Sequence, residues 1–169
     1  MTTSQRSATA SLRPIVPADT EFLRALYATT RADELALVGW DDVQKSAFVR
    51  QQFDAQDRYY RQQFPDASFR VVLVDGQPAG RLYVADDADQ ILVIDVALMP
   101  RYRGSGIGSA LLAEVLRGAD DERKPVTLHV ERNNRALAWY ERLGFTVVED
   151  HGVYLFLRRE PPEVPEQGS

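Results

Sequence analysis

The sequence predicts a mixed α/β fold: a sheet of about six to seven strands with flanking helices. Three observations carry this. Short β-rich runs separated by turn signals occupy residues 69–74, 79–85 and 91–98. Two segments of helical period, 109–116 and 134–143, alternate with a further apolar run at 126–131. A long stretch of helical character, 17–66, precedes all of these strands. Alternation of the two periods along one chain is the pattern of a sheet covered by helices.

Each element has its own justification. Residues 1–11, rich in Ser, Thr and Ala, read as a disordered tail, as does the proline-rich 160–169. Residues 12–159 between them read as a single domain, because 169 residues suffice for one proper core and are short for two. Residues 12–16 read as a short strand. Pro17, Ala18 and Asp19 start a helix with Phe22, Leu23, Leu26 and Tyr27 on one side. Residues 35–40 read as a loop or short helix. Val49, Phe53, Tyr60 and Phe64 recur at helical spacing over 42–64, and Pro65-Asp66 ends that helix. Asp75-Gly76 is a hairpin turn, and residues 86–89 form a second turn, so three strands make a meander. The helix at 134–143 ends Glu141-Arg142-Leu143-Gly144-Phe145: a cation in the last turn, a glycine for the left-handed position, then an apolar residue. A hairpin of 146–149 and 153–157 turns across His151-Gly152. The sheet is expected to be antiparallel in the meander and parallel where the helix at 109–116 crosses between strands.

Composition narrows the function. Apolar residues make up 44% and charged residues 27%, with a net charge of −5. A nucleic-acid partner is not expected of an acidic chain without a broad basic face. No apolar run approaches the roughly 20 residues that span a bilayer, and no leader-like apolar segment opens the chain, so the expectation is a cytoplasmic protein away from membranes. Cysteine is absent, which removes disulfides and a cysteine nucleophile, and two histidines do not furnish a usual zinc site, so no metal is expected.

Against this acidic background stands a basic, glycine-rich stretch, Arg101-Tyr102-Arg103-Gly104-Ser105-Gly106-Ile107-Gly108, between the apolar strand 91–98 and the next helix. Glycines let backbone N–H groups turn toward one point, and a helix start adds unpaired donors and partial positive charge. The combination suits a phosphate or pyrophosphate. A dinucleotide loop would have glycines in the order G-x-G-x-x-G near a first βα unit, and a Walker loop would have Gly-Lys-Ser or Gly-Lys-Thr; neither is present. A strand-to-helix turn with no ligand is the structural alternative.

Two segments together resemble the GCN5-related N-acetyltransferases. Arg103, Gly106 and Gly108 match that family's acetyl-CoA loop pattern, and the stretch from Leu128 through Asn133, Asn134, Trp139, Tyr140 and Gly144 to Phe145 is similar to its second cofactor motif. The similarity covers roughly residues 70–158. It implies the mixed sheet of an acyl-CoA N-acyltransferase, acetyl-CoA as cosubstrate, and direct attack of an amine on the thioester in a ternary complex. An acyl-CoA sensor of the same fold without turnover, and an interaction module with a purely structural loop, are the rival readings.

The resemblance also implies roles. Arg103, Gly104, Ser105, Gly106, Ile107 and Gly108 would hold the cofactor, mostly by backbone N–H, with Arg103 acting by side chain or by N–H alone. Ser109 would lend a hydroxyl or merely cap the helix. Val96, Ala97 and Leu98 would pair with the pantetheine arm, and the Leu98 N–H would face the oxyanion. Asn134 is the first choice for a side-chain contact to the cofactor, Asn133 the alternative; one of them is also expected to cap the helix. Tyr140 is the candidate general acid for the departing sulfur. Thr127, His129 and Glu131 share one face of their strand, so His129 or Glu131 is the candidate base, with Asp95, a charge inside an apolar strand, as a further one. Glu34, Trp40, Tyr60 and Asp95 offer acid and aromatic surface to a cationic amine acceptor. The chain is expected to be a monomer or homodimer.

Overall fold

A computed structural model describes residues 9–165, so the tail readings for 1–8 and 166–169 lie outside the described residues. The element order is β1 (Ala10–Pro14), α1 (Thr20–Thr30), α2 (Ala32–Ala36), α3 (Asp42–Gln63), β2 (Ser68–Val74), β3 (Gln77–Asp86), β4 (Ile91–Leu98), α4 (Ile107–Asp121), β5 (Val126–Glu131), α5 (Leu137–Arg142), β6 (Thr146–Asp150) and β7 (Tyr154–Arg159). The seven strands lie in the order β1-β2-β3-β4-β5-β7-β6. β1 runs antiparallel to β2, β5 and β6 run antiparallel to β7, and β4 is parallel to β5, with α4 as the crossover between them. The described residues group into two compact units: those up to Tyr83 with Asp95–Gly108, and Val84–Ile94 with those from Ser109 onward.

In the first unit, Asp19 sets the entry to α1. Its carboxylate accepts two hydrogen bonds from Arg13, both 2.8 Å, and one from the Val16 N–H. The Arg13 guanidinium holds that carboxyl below its ordinary value near 3.8, against the opposing effect of burial. α3 starts where Asp41 accepts from the Gln44 N–H while the Gln44 side chain accepts from the Asp41 N–H, a reciprocal cap. Leu23 and Tyr27 of α1 pack with Val49 and Phe53 of α3, flanked by Ile15, Phe22, Ala28 and Leu35. Asp75 and Gly76, both at positive φ, turn β2 into β3 as a hairpin of the primed type. Gly80 has no room for a side chain: a Cβ there would collide with the Ala97 carbonyl and Leu98.

In the second unit, α4 buries a stripe of Leu111, Leu112, Leu116 and Ala119, at the spacing expected for one helix face. Its C-terminal turn is tied to β7 by Arg159, which donates twice to Asp120, at 2.8 and 3.1 Å. On β5, Val126, Leu128 and Val130 are buried as alternation predicts, but so is Thr127, whose hydroxyl meets Gln90 at 3.2 Å. β6 is an edge strand with every residue exposed, and a register shift between Val147 and Glu149 places a bulge in it.

Several boundaries differ from the sequence reading. β1 begins at Ala10, inside the stretch read as a tail, because residues 10–14 pair with β2. The Pro162 carbonyl, in the segment read as a C-terminal tail, accepts from Arg123. The final helix spans Leu137–Arg142 rather than 134–143, because the Asn134 side chain accepts the Ala136 N–H and holds residues 134–136 in a turn.

Two measurements check this account. Gly80→Ala is expected to destabilise the protein by about 1–3 kcal/mol in urea unfolding. Asp19→Asn is expected to cost about 1–2 kcal/mol at neutral pH through lost charge-assisted hydrogen bonds. Because the folded pKa of Asp19 lies below 3.8, its contribution is present above that pH and lost as pH falls through the folded value. The wild-type advantage over Asp19→Asn should therefore shrink in acid.

Candidate active site

The glycine loop lies wholly in the first unit. β4 ends at Leu98, and the Met99 N–H donates to the Ala79 carbonyl at 2.8 Å. A single 3-10 turn, Pro100–Tyr102, leads to Arg103. The Arg103 side chain turns back: its Nε donates to the Leu98 carbonyl at 2.9 Å and Nη2 to the Thr29 hydroxyl at 3.1 Å. The Arg103 N–H donates to the Pro100 carbonyl at 3.1 Å, so both its side chain and its N–H are engaged within the protein. Gly104 and Gly106 sit at φ +72 and +85, where other residues are strained, and a Cβ on either would meet nothing within 4 Å. Their glycine identity answers a backbone need, and the space beside them is open. Ser105 donates to the Tyr102 carbonyl at 2.7 Å, so its hydroxyl stabilises the loop. Ile107 is buried and opens α4, with Gly108 in its first turn.

Val96, Ala97 and Leu98 are half-buried at the end of β4. The ladder between β4 and β5 pairs Ile91 with Val126 and Leu92 with Thr127, so these three residues lie beyond it.

The second unit carries the other predicted residues. The Ser109 hydroxyl accepts from Trp139 Nε1 at 3.0 Å, which ties the first turn of α4 to α5. Tyr140 is buried between Trp139, with ring centroids 4.9 Å apart, and Phe145, edge-on at 5.8 Å. Its carbonyl accepts the N–H groups of Leu143 and Phe145 as the helix closes through Gly144 at φ +97. Asn134 has its amide oxygen committed to the Ala136 N–H, 2.8 Å, while Asn133 is exposed in the same turn. His129 is exposed on β5 opposite Phe156, with ring centroids 4.7 Å apart. Partial burial and the nearby His151 push its pKa below 6.5 despite Glu149, so it is largely neutral at pH 7. Glu131 ends the same strand opposite Tyr154 and is half-buried.

The four predicted acceptor residues all fall in the first unit but do not gather in one place. Glu34 is exposed and paired with Arg31, and Trp40 packs edge-on against Phe48, 5.3 Å away. Tyr60 lies near the other end of α3. At 1.5 Å per residue, the 20 residues from Trp40 to Tyr60 correspond to roughly 30 Å. Tyr60 instead meets Tyr83 at 6.1 Å, and the Arg81 guanidinium stacks on Tyr83 at 4.7 Å. Arg81 is 3% exposed and donates to Asp95, 2.6 Å, and to Gln56, 2.8 Å. Burial works against its charge, yet Asp95 and Tyr83 hold its pKa above the usual value. Burial likewise pushes the Tyr83 phenol up, against the pull of Arg81. Asp95 thus has a committed cationic partner. A proton taken onto it would leave a buried guanidinium without its counter-charge. Sequence reasoning missed Arg81, Gln56 and Tyr83. The signal was present: Arg81 and Asp95 are isolated opposite charges in two apolar strands.

The comparisons with known proteins agree with this geometry. The sequence model of the Acetyltransferase (GNAT) family matches residues 36–145. The chain is a GNAT family member. The match contains both the glycine loop and the Asn133–Tyr140 segment. Among curated proteins, the mycothiol acetyltransferase of Corynebacterium efficiens is 42% identical over 72 residues, covering 41% of this chain and 24% of that one. The chain thus spans about a quarter of the length of the curated relatives it matches. Among solved structures, PaiA N-acetyltransferase of Thermoplasma acidophilum in complex with coenzyme A has a TM-score of 0.69 at 18% identity, over 90% of this chain and 99% of that chain. Arabidopsis thaliana Naa50 with a CoA–peptide bisubstrate analogue has a TM-score of 0.58 at 18% identity, over 88% and 96%. The seven-stranded mixed sheet with flanking helices is the GNAT fold. No helix among the described residues is long and apolar enough to cross a membrane, and no group of His, Cys, Asp or Glu among them is arranged to hold a metal.

Replacing Arg103 with Met removes both anchors of the loop while keeping a flexible side chain. The two bonds are solvent-exposed, so a loss of about 1 kcal/mol of folding stability is expected in urea unfolding.

Proposed function

We propose that residues 12–159 act as a single N-acetyltransferase domain, moving an acetyl group from acetyl-CoA to a primary amine of a small molecule or protein. The observation that carries this reading is the loop at Gly104 and Gly106: left-handed backbone, open space, and a helix start immediately after it. A pyrophosphate fits that arrangement through backbone N–H groups of residues 104–108, while Arg103, whose own N–H donates to the Pro100 carbonyl, fixes the loop. Val96, Ala97 and Leu98 supply backbone beyond the β4–β5 ladder for the amides of the pantetheine arm, and the Leu98 N–H is the proposed oxyanion donor.

In the reaction, a neutral amine attacks the thioester carbonyl, the C–N bond forms, and the C–S bond breaks from the tetrahedral intermediate. Tyr140 is the proposed acid that protonates the leaving thiolate, and its ring is immobilised by Trp139 and Phe145. His129, neutral at pH 7, is favoured over Asp95 as the base, because Asp95 is held by Arg81. Glu131 stays a second candidate on the same strand. Asn133 is the freer of the two asparagines for a cofactor contact, the oxygen of Asn134 being used in its turn. Tyr60 and Asp95, which share the Arg81–Tyr83 cluster, are proposed to bound the acceptor site; Glu34 and Trp40 lie toward the other end of α3. A cytoplasmic location and a metal-free reaction complete the reading.

The test has two stages. Calorimetry should give saturable CoA binding that Gly106→Val abolishes, and thiol release across an amine panel should identify an acceptor. With that acceptor, Tyr140→Phe should lower kcat by about 100-fold with the Kd for CoA little changed. Absence of CoA binding at millimolar cofactor overturns the reading, and an unchanged kcat overturns the role of Tyr140.

A further inference from the structure

The first unit holds a cleft that the acetyl-transfer reading does not use. It lies among α1, α2 and α3 and has a volume of about 310 Å³. The small side chains of Ala25, Ala28 and Ser46 leave the space. Leu35, Val49 and Ala28 give it an apolar wall continuous with the cluster of Leu23, Tyr27 and Phe53.

Its polar lining is unusual for a chain of net charge −5: three cations against one carboxylate, Glu21. Arg24 pairs with Asp54 through Nη2, 3.0 Å, but its Nε is buried with no hydrogen-bond partner. Lys45 and Arg50 have no carboxylate within ion-pair distance among the described residues. A buried guanidinium N–H without an acceptor is uncommon in a folded protein and calls for an explanation. Like charges held around an apolar wall are relieved by an anion, and Arg is suited to carboxylates. Small-molecule sites begin near 300 Å³ and combine an apolar lining with a few polar groups, as here.

We propose that this cleft binds a small amphipathic carboxylate, its apolar body against Ala28, Leu35 and Val49 and its charge among Arg24, Lys45 and Arg50. A compact phosphate is the poorer match, because it would leave the apolar wall uncovered and bring a second negative charge toward Glu21. The site is separate from the glycine loop, so the inference stands whether or not the acetyl-transfer reading does.

The full chain, labelled for NMR, is titrated with octanoate, acetate, octylammonium and inorganic phosphate. Octanoate should give saturable shifts at Ala25, Ala28, Leu35 and Val49 with a Kd of about 1 mM or lower, and the other three should bind at least about ten-fold more weakly. Lys45→Glu with Arg50→Glu should weaken octanoate by about ten-fold or more, and Ala25→Phe, filling the cleft from an exposed helical position, should do the same. Both variants should keep the wild-type circular dichroism spectrum and the wild-type response to CoA. Absence of saturation at about 10 mM octanoate, shifts confined to other residues, equal binding of phosphate or octylammonium, or folded variants that bind octanoate unchanged each overturn the proposal.

Discussion

One side chain ties the end of β4 to α1. The Arg103 guanidinium spans the Leu98 carbonyl and the Thr29 hydroxyl, five residues back along the chain and at the last turn of α1. Around that point the backbone has little freedom. The Met99 N–H is taken by Ala79, and Gly80 lets β3 approach Ala97 and Leu98 more closely than any side chain would permit. With the strand end fixed from three sides, the left-handed glycines that follow have a defined origin from which to direct their N–H groups. The positive charge of Arg103 adds to the field of the loop.

A second constraint sits deeper. Arg81, Asp95 and Gln56 join β3, β4 and α3 through charge-assisted hydrogen bonds around a nearly inaccessible guanidinium. Burying such a pair adds little net stability, since the loss of hydration offsets the attraction. Its effect is on selection among alternatives: any slip of β3 against β4, or of α3 over the sheet, would strand a charge away from water. The same network decides what Asp95 is able to do, because its carboxylate is already neutralised by a partner with nowhere else to go.

Much of this was legible in the chain. β4 and β5 have the bounds read from their apolar runs, the Asp75-Gly76 hairpin has the expected positive φ values, and Gly144 closes α5 as its flanking residues imply. What escaped reading depended on contacts distant in sequence or on competing local bonds. The Asn134 side chain captures a backbone N–H and delays α5, where periodicity alone continues the helix to 134. α4 ends with Arg123 at φ +58, so no glycine marks the stop. The tie between Ser109 and Trp139 joins residues 30 apart, whereas the separation of Trp40 from Tyr60 already follows from the helix read over 42–64. The backbone of the glycine loop was the clearest case, because residue type alone marks where the left-handed conformation falls.

The bulge in β6 has a consequence of another kind. β6 is the terminal strand of the sheet, and Val147 and Val148 are both open to solvent, followed by Glu149 and Asp150. A straight strand of that composition would present evenly spaced donors and acceptors to any extended chain it met. The extra residue at the bulge puts that spacing out of step, and Glu149 and Asp150, the latter paired with Arg132, place charged groups along the same edge. The sheet therefore ends at β6 by construction, which matters most in a crowded solution during synthesis, when partly folded copies of the same chain are the nearest neighbours.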